Sequence, residues 1–389
     1  MLHVVHTLEG GGTERTLVSL LRAMNPSRVR HAVVTLRAPG ALCSSLPDHV
    51  ACIPLGAVRP GRFLGFSLAR VAWRTRAELI HARNTGCWAD ALVAGCLTPG
   101  LKVVLAFHGL ESEVGFSAKQ RFLIKAARTL GGRFSTNSFC GCRQLLEQGG
   151  VPIDRVDVIP GGVDLLRYKP ATDEMRRSIR RELNLDDDAF VVGSVGSLTT
   201  VKRHRDLIES MRLTAGRHPK LRLLIVGDGP LHSDLQRQAR DTGNERIILF
   251  VRQREDVAAL FGAMDVYVCP SASESMSNAV LEAMASGLPV VTTDVGDHAM
   301  TVRDHVEGRV VERLNPAHIA DAITALMRDP LNRLRMSAAS RLRAESLSSD
   351  RMTEQYRAYY DRILTPTKEV NEQRSTCVRV PDPTGWSAH

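Results

Sequence analysis

Twice along this chain, short near-continuous apolar runs alternate with amphipathic helical stretches. The first series is LHVVHTL, HAVVTL, LIHAR, KVVLAFHG and RVDVIPGG; the second is FVVGSVGSL, LRLLIVGDGP, RIILFV, DVYVCPS and LPVVTTDVG. Strands that are apolar throughout and separated by helices belong to parallel sheets covered on both faces. Two such series predict two doubly wound α/β domains, and 389 residues suffice for both cores. The seam falls near PGGVDLLRYKP, punctuated by Pro160, Gly161, Gly162 and Pro170. SLSSDRMTEQYRAYYDRIL reads as a closing helix capped by Ser349 or Asp350. From Thr365 onward, three prolines and little periodicity read as a disordered tail. Ligands of such folds sit at the carboxyl ends of strands, so two facing domains would hold one in a cleft.

No apolar run approaches the roughly 18 residues of a membrane span, and MLHVVHTLEGGG reads as a buried strand entering a glycine loop rather than as a signal peptide. None of the eight cysteines forms a CxxC pair, which points to free thiols in a reducing compartment. Cys140 and Cys142 alone do not make a metal site. Charge is uneven. Residues 1–165 hold 19 Lys+Arg against 11 Asp+Glu, a net of +8, and the remainder of the +9 total leaves +1. A basic first half suggests an anionic partner. Residues 59–76 and 118–133 mix arginine and lysine with apolar residues. As helices they would either lie on an anionic membrane or pack an apolar stripe on the sheet. Nucleic acid is disfavoured, because no recognised module appears and aromatics are not interleaved with the basic runs.

The glycine loops exclude two familiar readings. After Gly227 and Gly229 a dinucleotide fingerprint needs glycine at 232, which is His232; after Gly10 and Gly12 it needs one at 15, which is Arg15. The chain has no Gly-x4-Gly-Lys-Ser/Thr loop either. ESMSNAVLEAMASGLPVV, from Glu274 to Val291, says more. With Ser277 as cap and Asn278 and Ala279 in the first turn, free amides and the helix dipole would receive a phosphate. Glu282 would stand roughly 7.5 Å further along the axis, near the reach from a diphosphate to its ribose. Glu274, before the cap, would lie on the side where a sugar is attached. The alternative is a solvated loop acid and an exposed helix acid.

These motifs resemble the family 4 glycosyltransferases. Glu274-x7-Glu282 followed by AMASGLPVV carries the resemblance, with GGTER at 11–15, FHG at 107–109, IPGGVD at 159–164, VGSLTTVK at 195–202 and VGDGP at 226–230 in the same order. It covers about residues 2 to 364, and its wording is nearest to sugar transferases of exosortase-type exopolysaccharide clusters. The resemblance implies a GT-B architecture: two Rossmann-like domains, 1–164 and 165–347, facing across a cleft, with a helix over 348–364 returning toward the first. It implies a retaining, metal-independent enzyme whose donor is a nucleotide-diphosphate sugar and whose acceptor is a glycan or lipid-linked sugar, with no cofactor. Such an enzyme would work in the cytoplasm, at the inner face of the membrane if the basic helices dock there. Glu282 would bind ribose and Glu274 the donor sugar, with amides at Ser277, Asn278 and Ala279 near sugar and phosphate. Lys202, after Gly196, would contact the diphosphate, Gly11 and Gly12 would approach it, and His108 would sit beside the reacting sugar.

Three positions depart from the family pattern. Ser197 stands where arginine is usual, removing a cation from the leaving group; Arg203 or Arg205 would have to substitute. Gly161 replaces asparagine, and both tolerate positive φ. GDHAM at 296–300 replaces GGNPE, so Met300 stands where the family has an acid. Asp186–Asp188 match an Asp-x-Asp metal clamp in letters but read as a polar turn before a strand. Catalysis would rest on stabilising charge on the departing diphosphate. A hydrolase, phosphorylase or epimerase on the same fold, and a catalytically silent binding protein, are the competing readings.

Overall fold

The computed structural model describes residues 1–9, 11–25, 28–56, 64–109, 115–216, 218–252, 254 and 256–365. The chain divides into two compact units: Met1–Gly161 joined by the chain from Ser349, and Gly162–Ser348.

The first unit holds seven parallel strands: β1 Leu2–Val5, β2 Ala32–Thr35, β3 Ala51–Pro54, β4 Leu79–Ala82, β5 Lys102–Phe107, β6 Arg133–Thr136 and β7 Val156–Val158. Their order is β3-β2-β1-β4-β5-β6-β7, so the winding reverses between β1 and β4. Leu2 pairs with Ala32 on one side and Ile80 on the other. Trp88, Phe107, Phe134 and Leu68 anchor the main core, with Ile124 from the helix Ala118–Thr129. That helix opens on a capping box between Ser117 and Gln120. A second cluster joins Leu20 and Met24 to Met352, Tyr356, Tyr359 and Ile363 of the helix Ser349–Leu364. The closing helix therefore completes this unit's core.

Beneath that helix lies a buried polar network. Arg83, 3% exposed, donates to His3 Nδ1 at 3.2 Å, Tyr356 Oη at 3.3 Å and Tyr360 Oη at 3.0 Å. His81 bridges Tyr360 Oη and Ser135 Oγ, each at 2.9 Å, and His3 meets His31 at 3.1 Å. Burial, then the Arg83 charge, holds His3 and His81 well below the usual histidine range, and burial brings His31 to about 4. Cys43 and Cys52 are joined in a disulfide, which corrects the expectation of free thiols throughout. The turn Ala41–Ser45 and β3 bring their Cα atoms to 6.5 Å, a pairing no CxxC spacing could signal.

The second unit holds six parallel strands: β8 Phe190–Val195, β9 Leu221–Val226, β10 Ile248–Val251, β11 Val266–Cys269, β12 Val290–Thr293 and β13 Gly308–Val311. The order β10-β9-β8-β11-β12-β13 reverses between β8 and β11. Two apolar clusters, one around Phe261, Tyr267 and Met284 and one around Ile208, Leu223 and Ile323, pack its core. Asp265 accepts Arg176 at 2.6 Å and Arg180 at 2.8 Å, and Arg180 also holds the Asp187 carbonyl at 2.7 Å. Asp188 pairs with Lys220. The three aspartates thus serve the entry to β8, at the strand end opposite Gly196.

β3, β6 and β13 are absent from the apolar runs. β3 has half-exposed positions, β6 (RFST) buries two hydroxyls, and β13 (GRVV) begins on glycine and arginine. In the basic stretches, helices span Gly65–Arg74 and Ala118–Thr129. Residues 59–63 and the tail from 366 lie outside the described residues.

Candidate active site

In the second unit, three loops leave the carboxyl ends of β8, β11 and β12. The β8 loop carries Gly196, Ser197, Lys202 and Arg203. The β11 loop carries Ser271, Glu274 and Ser277, and the β12 loop carries Gly296 to His298. These strands flank the point where the winding reverses, the usual ligand position in such sheets.

Lys202 Nζ and Glu274 Oε1 form an ion pair, and Ser271 Oγ donates to the same carboxylate oxygen at 3.1 Å. The Glu274 side chain is 13% exposed and that of Lys202 28%, so both reach solvent while most of each is enclosed. Ser277 is the N-cap of the helix Asn278–Ala285, as the spacing requires, but its hydroxyl makes no capping bond. The Ser277 carbonyl accepts from Leu281. Asn278, Ala279 and Glu282 are half-buried. Both glutamates act on the buried Tyr267 phenol, which burial pushes well up, followed by Cys269, Glu282 and Glu274.

The glycines of this region serve close backbone approach. A Cβ at Gly227, whose φ is +148°, would collide with the Gly196 carbonyl, and one at Gly229 would stand 2.6 Å from that of Leu198. Here the glycine pattern closes the β8 and β9 loops on each other, which explains its mismatch to a dinucleotide fingerprint. Gly196 gives its amide to Val226 at 3.0 Å, and Ser197 is exposed. Arg203 does not take up the vacancy at 197: its guanidinium is bidentate to Asp206, 2.8 Å on each arm, in the first turn of the helix it precedes. Arg205 is exposed, and its carbonyl accepts from Gln238 at 3.0 Å. His204 beside them is buried, its pKa lowered to about 4 by burial and then by Lys202.

In the first unit, Gly11 caps the helix Gly12–Ala23. A Cβ on Gly11 would strike the Glu14 carboxylate, which folds over the helix start. His108, at the end of β5, donates from Nε2 to the Arg83 carbonyl at 2.8 Å, and burial lowers its pKa. His6 Nδ1 and Asn137 Oδ1, at the ends of β1 and β6, are buried without hydrogen-bond partners among the described residues. Neither residue stood out in the sequence. Ser271, Thr293 and His298 were equally silent; the bond that joins their loops runs from Thr293 to Ser271, 22 residues apart. Among the described residues, no group of three or more His, Cys, Asp or Glu side chains is arranged to hold a metal ion.

Two parallel sheets of this kind define the GT-B class of α/β proteins. The fold matches that of Anabaena Alr3699/HepE in complex with UDP and glucose, with a TM-score of 0.81 at 22% identity over 92% of this chain and 98% of that one. The family models "Glycosyltransferase Family 4" and "Glycosyl transferases group 1" match residues 10–167 and 175–343. The chain belongs to this glycosyltransferase family. A D-inositol 3-phosphate glycosyltransferase of Nocardia farcinica is 35% identical over 70% of this chain, and the match spans 59% of that relative. EpsF of Bacillus subtilis, a glycosyltransferase by its name, is 27% identical over 76% of this chain and 79% of its own length.

Proposed function

We propose that this protein is a retaining glycosyltransferase that moves a hexose from a nucleoside diphosphate to a glycan or lipid-linked acceptor in exopolysaccharide or cell-envelope synthesis. The observation that carries this reading is the enclosed Lys202–Glu274 pair, set beside the free start of the helix Asn278–Ala285 with Glu282 one turn inside it. Lys202 and the amides at Ser277–Ala279 offer positive charge to a diphosphate. Glu282 offers a carboxylate to ribose hydroxyls, and Glu274 one to the sugar. As the sugar–phosphate bond breaks, charge collects on the leaving diphosphate, and fixed donors aimed there lower the barrier. The acceptor then enters on the face the diphosphate leaves, and a phosphate oxygen takes its proton. In the first unit this reading gives the Gly11–Gly12 amides to the diphosphate and His108 to the sugar. It requires neither metal nor cofactor.

UDP is the first nucleotide to try, since HepE, which shares this fold, is in complex with UDP and glucose. The test is a thermal shift of the full chain against UDP, GDP and ADP, followed by product analysis with the matching hexose donors in chelator. Stabilisation by one diphosphate and anomer-retaining transfer are expected; stabilisation by none would remove the reading. Ser197 favours one second reading, a binding protein with little turnover, since the usual guanidinium is missing there. Diphosphate binding without donor turnover would select it.

The same reading puts a lipid-linked acceptor at an anionic membrane. In support, Phe66 and Trp73 are 69% and 75% exposed on the helix Gly65–Arg74, with Arg70, Arg74 and Arg76 on the same exposed side. Phe122 is 69% exposed among Lys119, Arg121, Lys125 and Arg128. Among the described residues, no helix is long and apolar enough to cross a membrane. Sedimentation with phosphatidylglycerol vesicles, but not phosphatidylcholine vesicles, is expected at low salt; equal recovery in both supernatants would discard membrane docking.

A further inference from the structure

We propose that His298 is a positioning residue for Glu274, acting through Thr293 and Ser271. This deepens the functional reading above and rests on it. His298 lies 1% exposed at the start of the short helix His298–Thr301, directly after the β12 turn. Its Nδ1 stands 3.1 Å from the Thr293 carbonyl and 2.7 Å from Thr292 Oγ1. A carbonyl only accepts, so Nδ1 carries the proton. Thr293 Oγ1 donates to the Ser271 carbonyl at 2.6 Å, and Ser271 Oγ donates to Glu274 Oε1 at 3.1 Å, where Lys202 also binds. Three hydrogen bonds, joined through the covalent frames of Thr293 and Ser271, thus link the imidazole to the carboxylate.

The backbone fastens the same two loops. The Asp297 amide donates to the Ser275 carbonyl at 2.9 Å. At Gly296, φ +55°, a Cβ would collide with the Glu274 carbonyl. The β12 turn therefore supports the Glu274 loop from behind, and the His298 ring holds Thr292 and Thr293 in that support. Its Nε2 is buried with no hydrogen-bond partner among the described residues. With Nδ1 donating, that buried Nε2 is an orphaned acceptor, a cost the ring carries alongside its Nδ1 bond to the Thr293 carbonyl. Burial lowers the His298 pKa, while Glu274 and Thr293 raise it and Lys202 lowers it, in keeping with a neutral ring within the field of the pair. The motif GDHAM places this side chain where the family pattern GGNPE has asparagine, which also carries an N–H donor.

The test compares wild type with H298L, H298N and S271A by release of diphosphate from UDP-, GDP- and ADP-hexoses, and by calorimetry with UDP, GDP and ADP. His298→Leu is expected to lower kcat by about 30-fold while diphosphate Kd changes by less than about 2-fold. Asn places an amide nitrogen near Nδ1, so H298N is expected to recover most of the rate. Ser271→Ala is expected to lower kcat in the same way, and the H298L/S271A double variant to be no slower than the worse single variant, since both interrupt one path. Full activity of H298L, equal loss in H298L and H298N, or multiplying losses in the double variant would overturn the proposal. Should H298L not fold, S271A with normal diphosphate affinity and undiminished kcat overturns it alone. Failure of wild type to bind any diphosphate would instead sink the functional reading, a separate and earlier outcome.

Discussion

At the scale of single residues, two glutamates and a lysine carry most of the chemistry assigned to this chain, and the enclosure of Glu274 separates their effects. Lys202→Ala removes the cation nearest the leaving group and leaves Glu274 half-enclosed without its counter-charge. A loss of roughly 100-fold or more in kcat is expected, read from steady-state diphosphate release. Glu282→Ala should instead raise the donor KM by about 10-fold with a smaller change in kcat, because a ribose contact holds ground and transition states alike. These three candidates stood out in the sequence because their spacing is local: Glu274 and Glu282 bracket one helix start, and Lys202 follows one strand by a fixed interval. Arg203 misled for the opposite reason. Its charge was visible in the sequence, but Asp206, one turn along, takes its Nε and Nη2. Ser271, Thr293 and His298 did not stand out, because the bond that joins their two loops, Thr293 to Ser271, spans 22 residues.

At the scale of elements, the loops at the carboxyl ends of β8, β11 and β12 are held together by backbone as much as by side chains. Gly296→Ala adds a Cβ against the Glu274 carbonyl and strains a positive φ. A loss of about 2–4 kcal/mol is expected from urea denaturation followed in the second unit, with activity falling further than stability accounts for. A G296A variant as stable and active as wild type would show that the two loops part easily. The strand pattern was legible wherever a strand is apolar throughout. β3, β6 and β13 escaped because edge position, buried hydroxyls or a leading glycine broke the apolar signature. The helix Ser349–Leu364 was legible from periodicity, but its tyrosines gave no hint that they close over His81 and Arg83. Tyr360→Phe leaves both without that hydroxyl, and a cost of about 1–3 kcal/mol to the first unit is expected by chemical denaturation.

At the scale of the whole molecule, the buried histidines set an acid limit. His3 and His81 are held well below the usual range and His31 at about 4, all by burial first. In the unfolded chain they take up protons near pH 6.5. Between about pH 6.5 and 4 the unfolded chain therefore binds more protons, so stability is full above that window and falls as pH drops through it. The urea midpoint of the first unit should fall steadily across this range; a midpoint flat from pH 7 to 4.5 would refute it. The two-unit plan was readable from the doubled series of strands; the units divide at Gly161/Gly162, three residues before the expected bound at 164. What the sequence did not disclose is the dependence built into the connectivity. The segment that seals the first unit is translated only after the entire second unit has been synthesised. Until then the nascent amino-terminal sheet must wait with Leu20, Leu79, Val104 and its histidine–arginine cluster uncovered, a period in which chaperones have most to protect.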